Sequence, residues 1–212
     1  MITIIIPCYN EAQTIGFAIS EIDFLFSGVQ IIVVDNNSTD NSPCIIQNYW
    51  SCKNIYEHYQ CSEQGKASAI NSVVNHIKFA TVILHDADLE YRGFEIKNLA
   101  ELHVKENADM TIGVRKNKLF TSMLANTFIR FVLKLKMKAT TSDVLTGARV
   151  VNKSLLKSFG SKQFGIETEL TKIVLKNKLK LVEGECYYNP RTVGKKIKLW
   201  HMFEMVAQAI CE

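Results

Sequence analysis

The chain has 212 residues, of which 47% are hydrophobic, and its 25 Lys and Arg against 21 Asp and Glu give a formal net charge of +4. That length favours one domain, 1–212, and the composition is ordinary for a globular protein. No stretch reaches about 18 consecutive apolar residues, so no membrane-spanning helix is expected. The basic residues do not alternate with aromatic ones along a stripe, which argues against a nucleic-acid partner.

The six cysteines form neither a Cys-x-x-Cys pair nor a spacing that is typical of a zinc site. We therefore expect free thiols in a reducing compartment, which favours a cytoplasmic location. The cysteines are Cys8, Cys44, Cys52, Cys61, Cys186 and Cys211. Of these, Cys8 and Cys186 are expected to lie in strands.

The first half of the chain alternates strand signals with helix signals. Residues 2–6 form a continuous run of β-branched residues, typical of a parallel strand covered on both faces, and Pro7 is expected to end it. Further strands are predicted at 30–34, 54–58 and 81–84, and helices at 12–26, 41–50 and 67–77. This alternation predicts an α/β fold with a mostly parallel sheet and helices on both faces.

The second half is less regular. Helices are predicted at 94–105, 119–138, 170–178 and about 197–211. Strands are predicted at 109–114, ending on Arg115, at 146–151 and at 179–188. Helix 119–138 is strongly apolar and ends in Lys134, Lys136 and Lys138. Its apolar face therefore either packs in the core or lies on a membrane surface.

The predicted strand at 81–84 runs into two carboxylates, Asp86 and Asp88, with Glu90 two residues further on. Mg²⁺ and Mn²⁺ prefer carboxylate oxygens, and they bind where a phosphate-bearing substrate completes the coordination. A solvated acidic turn is the alternative for an isolated Asp-x-Asp. We predict that Asp86, Asp88 and Glu90 hold a divalent cation.

Other polar residues follow predicted strands or begin a predicted helix, namely Glu11, Asp35 and Lys66. In open α/β sheets ligands bind beyond the carboxyl ends of the strands, so we expect these side chains to share one rim with Asp86. Lys66 stands at the start of a helix, where a cation opposes the helix dipole. A phosphate or carboxylate partner is therefore expected for Lys66.

Seven short segments extend this pattern along nearly the whole chain. They are IIPCYNE at 5–11, IVVDNNSTD at 32–40, GKASAIN at 65–71, DAD at 86–88, GVR at 113–115, DVLTGAR at 143–149 and RTVGKKI at 191–197. In this order they resemble the family 2 glycosyltransferases with the GT-A fold, and among them the dolichyl- or polyprenyl-phosphate mannosyl- and glucosyltransferases. The resemblance implies a GT-A (Rossmann-like) domain. It also implies an inverting, metal-dependent transfer of a hexose from GDP-mannose or UDP-glucose to a polyprenyl or dolichyl phosphate.

The same resemblance implies roles for single residues. The nucleotide-sugar donor would contact Pro7, Tyr9, Glu11, Asp35, Lys66, Asp86, Arg191 and Lys195. The first four would form the base and ribose pocket, although Tyr9 could instead be a core residue. Arg191 and Lys195 would close over the diphosphate as a loop that orders on binding. Asp86 and Asp88 would be the metal motif, binding Mg²⁺ or Mn²⁺ as a Lewis acid for the leaving group.

A polyprenyl monophosphate is already a nucleophile, so it needs positioning rather than a base. Arg115 is the first candidate to grip that phosphate and Arg149 the second, unless Arg149 is an ion-pair partner of Asp143. A sugar hydroxyl would need a base, for which Asp143, Glu167 or Glu169 are candidates. The predicted catalytic residues are Asp88, Asp143 and Arg115.

Two departures from the family pattern keep other functions open. The acidic turn has Asn36 where the family usually carries a second aspartate, and an arginine usual early in the helix after Arg115 is replaced near Met123. One alternative is a glycan or other hydroxyl acceptor. The other is a non-catalytic nucleotide-sugar-binding module. A lipid acceptor would place the protein on the cytoplasmic face of a membrane as a peripheral protein.

Overall fold

The computed structural model describes residues 1–118, 120–157 and 165–191. In chain order its elements are β1 (Ile2–Cys8), α1 (Ile15–Leu25), β2 (Gln30–Asp35), α2 (Ser42–Gln47), β3 (Ile55–Gln60), α3 (Lys66–Val73) with a 3₁₀ turn (Val74–His76), β4 (Thr81–Leu84), α4 (Gly93–Glu106), β5 (Met110–Arg115), α5 (Phe120–Met137), β6 (Arg149–Asn152), α6 (Lys153–Leu156), α7 (Ile166–Lys176) and β7 (Leu181–Cys186).

The seven strands form one sheet in the order β3-β2-β1-β4-β6-β5-β7. β6 runs antiparallel to both of its neighbours, β4 and β5, and every other neighbouring pair is parallel. The prediction of a mostly parallel sheet is therefore confirmed. The neighbouring inner strands β1 and β2 consist largely of buried β-branched residues, as expected where helices cover both faces of a sheet.

The hydrophobic core lies in two layers, one on each face of the sheet. On one face α1, α2 and α4 pack through residues such as Ile19, Ile46 and Leu99. On the other face α3, α6 and α7 pack through residues such as Ile70 and Leu170. The three-layer arrangement leaves the ends of the strands uncovered, and the polar loops of the chain gather there.

Pro7 does not end β1, which continues to Cys8 and pairs Pro7 with Val34 of β2. The sequence-based boundary was wrong because of the direction in which the missing N–H would point. Ile5 accepts a hydrogen bond from His85, so its backbone faces β4, and Pro7 two residues later faces the same side. β4 has already ended at Leu84, so the sheet loses no hydrogen bond at the proline.

Several other boundaries differ from those predicted. The extended stretch 146–151 forms a strand only from Arg149, because residues 143–148 form a loop over the end of the sheet. The helix predicted at 170–178 begins earlier, at Ile166, which places Glu167 in its first turn. The short α6 was not predicted, and the predicted helix 197–211 lies outside the described residues.

Two expectations concern the chain as a whole. The five cysteines in the described part of the chain are free thiols, and Cys8 and Cys186 lie in β1 and β7 as predicted. Cys211 lies outside that part. Within residues 1–118, 120–157 and 165–191, no helix combines the length and the hydropathy that a membrane span requires.

Candidate active site

The predicted rim exists at the carboxyl ends of β1, β2 and β4. Asp35 is the last residue of β2, Glu11 follows β1, Asp86 follows β4, and Lys66 is the first residue of α3. Two hydrogen bonds tie the loops after β1 and β2 together. The backbone N–H of Asn10 donates to Ser38 Oγ, and that of Glu11 donates to Ser42 Oγ, both at 2.9 Å. The loops that carry Glu11 and Asp35 therefore form one surface.

Asp86 begins the acidic loop (residues 86–90) and pairs with a partly buried lysine. Lys66 Nζ lies 2.6 Å from Asp86 Oδ1 and 2.9 Å from Glu167 Oε1. Burial would raise the pKa of Asp86, but the Lys66 ammonium outweighs burial and holds that pKa below its usual value. The carboxylate partner expected for Lys66 is thus present. Glu167, a candidate base, is one of the two acids that neutralise this lysine.

Gly147 allows Asp86 and Lys66 to meet. A Cβ atom at this position would overlap Asp86 Oδ2 and would lie 3.4 Å from Lys66 Nζ. The backbone N–H of Gly147 donates to the hydroxyl of Tyr91 at 3.3 Å, and that hydroxyl also meets Thr146 Oγ1 at 3.2 Å. Sequence reasoning missed Gly147 and Tyr91, because Gly147 contacts a residue 61 positions away and no local pattern marks the approach.

Asp88 lies two residues further along the acidic loop. Its Oδ1 accepts the backbone N–H of Glu90, and its Oδ2 accepts Arg191 Nη2, both at 3.0 Å. Burial raises the pKa of Asp88 to about 7, aided by the negative charges of Asp86 and Glu90 and opposed by Arg191. The intervening Leu89 adopts a left-handed conformation with φ 60°. The acidic loop therefore brings several carboxylates together. It does so on a backbone that includes a left-handed residue, a conformation that few residues other than glycine adopt.

Glu90, the third predicted metal ligand, contacts the segment after β7. Tyr188 Oη donates to Glu90 Oε2, and the backbone N–H of Arg191 donates to Glu90 Oε1, both at 2.9 Å. The backbone N–H of Asn189 also donates to the Glu90 carbonyl at 2.8 Å. Residues 188–191 are therefore fastened to Glu90 by three hydrogen bonds.

Arg191 joins the loops after β1 and β4. Its Nη1 and Nη2 donate to the two carboxylate oxygens of Glu11 at 2.9 and 3.0 Å, and Nη2 also reaches Asp88. Such a two-pronged contact is the geometry in which a guanidinium binds a phosphate as well. Lys195, the other predicted diphosphate ligand, lies outside the described residues.

The acidic loop fits a divalent cation that a substrate helps to hold. Among the described residues, no three acidic, histidine or cysteine side chains are grouped so that they could hold a metal ion, and Asp86, Asp88 and Glu90 therefore do not form such a group. Asp86 and Asp88, however, each bind a cationic side chain at this rim. Mg²⁺ characteristically takes one or two protein carboxylates and completes its coordination with water and substrate phosphate. Two carboxylates that already attract cations suit that kind of site.

Arg115 and Asp143 form a buried ion pair next to the acidic loop. Arg115 Nε and Nη2 donate to the two oxygens of Asp143, both at 2.8 Å, and Lys118 Nζ lies 3.2 Å from Oδ2. Burial would raise the pKa of Asp143, but the hydrogen bonds and charge of Arg115 hold it below its usual value. Asp143 is 0% exposed. The catalytic roles of Arg115 and Asp143 stay predictions.

Arg149 does not pair with Asp143, so the alternative that Arg149 is the ion-pair partner of this aspartate does not hold. Arg149 is 1% exposed, and its guanidinium donates to the carbonyls of Val144 and Thr146 and to Thr171 Oγ1. Burial lowers its pKa to about 10. Arg115 pairs with Asp143 because Arg115 is the last residue of β5 and lies beside this aspartate. Arg149 is the first residue of β6, and its side chain points into the core.

Asn36 has a structural role that an aspartate could not fill. Its side-chain amide donates to the carbonyl of Glu63 at 2.6 Å, and its oxygen accepts the backbone N–H of Gly65 at 2.7 Å. An ionised carboxylate has no hydrogen to donate to a carbonyl. Asn36 therefore fastens the segment that leads into α3 and positions Lys66.

The remaining donor-pocket candidates lie at the rim. Tyr9 is 36% exposed, so it is not a core residue, and Pro7 is partly exposed beside it. Asp35 is buried and accepts the backbone N–H of Ser38 at 3.4 Å. Their proposed contacts with a nucleotide stay predictions.

Comparison with known proteins now adds to this geometry. Residues 3–159 match the model of glycosyl transferase family 2. Polyprenol monophosphomannose synthase of Mycolicibacterium smegmatis is 24% identical over 208 residues, which cover 90% of this chain and 78% of that protein. Dolichol-phosphate mannosyltransferase of Pyrococcus furiosus is 29% identical over 116 residues, 54% of this chain and 33% of that protein.

The fold is also similar to solved structures. Glucosyl-3-phosphoglycerate synthase of Mycobacterium tuberculosis, crystallised with Mn²⁺, UDP and glucosyl-3-phosphoglycerate, superposes with a TM-score of 0.79. The alignment covers 99% of this chain and 77% of that one at 17% sequence identity. At that identity the comparison shows that the two chains share a fold, the GT-A arrangement.

Proposed function

The chain belongs to glycosyl transferase family 2, and from this we propose that it transfers a hexose from a nucleotide sugar to a polyprenyl or dolichyl phosphate, with inversion at the anomeric carbon. The observation that carries the proposal is the meeting of Asp86 and Asp88 with Lys66 and Arg191 at the carboxyl end of the sheet. Two carboxylates beside cationic side chains suit a substrate in which the bond that breaks has a diphosphate as its leaving group.

The donor side of the site is formed by the loops after β1 and β2. Glu11 and Asp35 supply carboxylates that can accept from ribose hydroxyls and from a base N–H, and Tyr9 offers a partly exposed ring. Arg191 lies between Glu11 and Asp88 and can exchange these carboxylates for diphosphate oxygens. GDP-mannose and UDP-glucose both fit these groups.

Asp86 and Asp88 would hold a divalent cation, Mg²⁺ or Mn²⁺, with Glu90 as the candidate third ligand. When bound, this cation supplies a Lewis acid that neutralises charge on the departing diphosphate. Lys66 keeps Asp86 ionised and in place, and Glu167 balances the charge of the lysine. Asn36 and Gly147 set the approach of the segments that carry these groups.

The acceptor side is formed by Arg115 and the residues around it. The guanidinium of Arg115 is held in one plane by two hydrogen bonds to Asp143, which pre-organises it to orient a phosphate. A hydroxyl acceptor would need a base within reach of the hydroxyl proton. Of the three candidate bases, Asp143 is buried in its ion pair and Glu167 is bound to Lys66, which leaves Glu169. The engagement of two of the three supports an acceptor that arrives as an anion.

The outer face of α5 supports a lipid substrate. Ala125, Ile129 and Leu133 are buried, yet five apolar side chains of the same helix are 49–67% exposed, namely Met123, Leu124, Phe128, Phe131 and Leu135. The helix contains Arg130, Lys134 and Lys136 and no acidic residue. An exposed apolar stripe with only positive charges suits the surface of an anionic membrane.

A two-phase transfer assay tests the proposal. The protein is incubated with GDP-mannose or UDP-glucose labelled in the hexose, with Mn²⁺, and with or without polyprenyl phosphate. We expect label in the organic phase only when both Mn²⁺ and polyprenyl phosphate are present. Label in a water-soluble product would indicate a hydroxyl acceptor, and binding of the nucleotide sugar without turnover would indicate a binding module. Either of these results would overturn the proposal.

A further inference from the structure

We propose that Tyr188 is a positioning residue, which orients the carboxylate of Glu90 and thereby the acidic loop. The inference rests on the proposed function, because it assigns a role within the same site. Tyr188 follows β7, outside the seven segments that carry the family resemblance, and it is 7% exposed.

The hydroxyl of Tyr188 makes the contact that matters. It donates to Glu90 Oε2 at 2.9 Å, while Glu90 Oε1 accepts the backbone N–H of Arg191. Both carboxylate oxygens are thus oriented from the same segment. Residues that hydrogen-bond a metal-binding carboxylate fix its direction, and their loss typically weakens metal affinity roughly 10- to 100-fold.

Two side chains contact the ring of Tyr188. The guanidinium carbon of Arg115 lies 5.2 Å from the ring centroid, and the ring of Tyr91 lies at 5.2 Å, tilted by 46°. Arg115 is itself fixed by Asp143, and the hydroxyl of Tyr91 meets Thr146. Because each neighbour has its own fixed partner, the hydroxyl has little freedom to move away from Glu90.

Tyr188 also connects the acceptor side of the site to the acidic loop. Arg115 belongs to the acceptor side, Glu90 to the acidic loop, and Tyr188 touches both. The substitution Tyr188→Phe removes one oxygen atom and keeps the ring between its neighbours. Its effect therefore reports the hydrogen bond to Glu90 separately from the packing of the ring.

The neighbouring Tyr187 supplies a matched control, since it is 63% exposed and the same one-atom change can be made there. Mn²⁺ binding to wild type, Tyr188→Phe and Tyr187→Phe is measured by the electron paramagnetic resonance signal of free Mn²⁺, with saturating UDP and, in a parallel series, with saturating GDP. We expect Tyr188→Phe to weaken Mn²⁺ binding about tenfold, and Tyr187→Phe to change it less than about twofold. Melting temperatures identify any variant that fails to fold.

Steady-state kinetics supply the second readout. Raising the Mn²⁺ concentration should restore the kcat of Tyr188→Phe, because the defect lies in orienting a ligand and not in the chemical step. Wild-type Mn²⁺ affinity in Tyr188→Phe, or an equal loss in Tyr187→Phe, would overturn the inference while leaving the proposed function intact. Weaker Mn²⁺ binding in Tyr188→Phe, with no hexose transfer by wild type to any acceptor, would support the positioning role and refute the proposed function.

Discussion

Arg191 and Asp88 are 103 residues apart in the chain, and their side chains meet at 3.0 Å. The contact closes the segment after β7 onto the acidic loop after β4. The guanidinium of Arg191 thus lies against the carboxylate that, in the proposed reaction, would bind a divalent cation. The protein thus holds its carboxylates in a paired state from which a substrate diphosphate and a metal can displace the arginine.

Asp88 makes the stability of the metal-free protein depend on pH. Its pKa is about 7 in the folded chain, against about 3.9 in an unfolded one. Between about pH 4 and about pH 7 the folded state binds the additional proton, so the free energy of unfolding falls as the pH rises through this window. Urea denaturation at about pH 5 and about pH 7.5 should show that fall in wild type and a smaller one in Asp88→Asn. An unchanged fall in Asp88→Asn, with the surface variant Glu101→Gln as reference, would contradict this assignment.

Removing Lys66 should be strongly destabilising. Lys66→Met leaves Asp86 and Glu167 facing each other without the partly buried ammonium. Loss of one partner from a fully buried group costs about 3–5 kcal/mol, which is the upper bound for this partly buried one. The matched control is Lys78→Met, which breaks an exposed pair with Glu57 and should cost less than about 1 kcal/mol. Chemical denaturation gives both values. Adding Glu167→Gln to Lys66→Met should recover part of the lost stability, because it removes one of the two facing negative charges. Equal losses of stability in Lys66→Met and Lys78→Met would refute the role assigned to Lys66.

Gly147→Ala tests the close approach of the backbone to Asp86. The added Cβ would overlap Asp86 Oδ2, so the carboxylate must move, and a displacement of about 1 Å in a catalytic group can cost roughly a hundredfold in turnover. The control is Gly16→Ala in α1, where a Cβ would meet Ile45 at an ordinary 3.5 Å and helix propensity favours alanine. Transfer rates measured at equal folded fraction should fall only for Gly147→Ala. Full activity in that variant would show that Asp86 tolerates displacement.

The exposed stripe of α5 should bind anionic membranes. The double variant Phe128→Ser/Phe131→Ser removes two exposed rings, each worth up to about 1.5–3 kcal/mol when fully buried, so liposome binding should weaken at least tenfold (about 1.4 kcal/mol). Phe24→Ser removes a still more exposed ring, on α1, and should leave binding unchanged. Sedimentation with anionic liposomes at low and high salt measures both effects. Binding that is equally sensitive to Phe24→Ser would assign the membrane contact elsewhere.

Local sequence patterns predicted the parts of this structure that depend on local chemistry. The strand at 81–84 was predicted with its observed limits, because an apolar β-prone run ends there on charged residues. The carboxylate partner of Lys66 followed from the charge of a lysine at a helix N-terminus. The shared rim followed from the direction of parallel strands.

The contacts that the sequence did not reveal depend on three-dimensional register. Arg115 and Arg149 both lie near Asp143, and only the ends of β5 and β6 decide which of them pairs with it. Gly147 and Tyr188 carry no chemical signal of their own, since their roles come from the backbone approach to Asp86 and from the ring contacts with Tyr91 and Arg115. Asn36 departs from the family pattern, and its side-chain hydrogen bonds to the segment before α3 give the structural reason.

The most direct test of the account is the amount of labelled hexose that reaches the organic phase with polyprenyl phosphate and Mn²⁺, compared between wild type, Asp88→Asn and Glu101→Gln. We expect full transfer by wild type and by the surface variant Glu101→Gln. In Asp88→Asn we expect a loss of at least about a hundredfold, since removing a metal-binding carboxylate should cost no less than removing its outer-shell partner. Undiminished transfer by folded Asp88→Asn would contradict the central claim that this carboxylate serves the departing diphosphate.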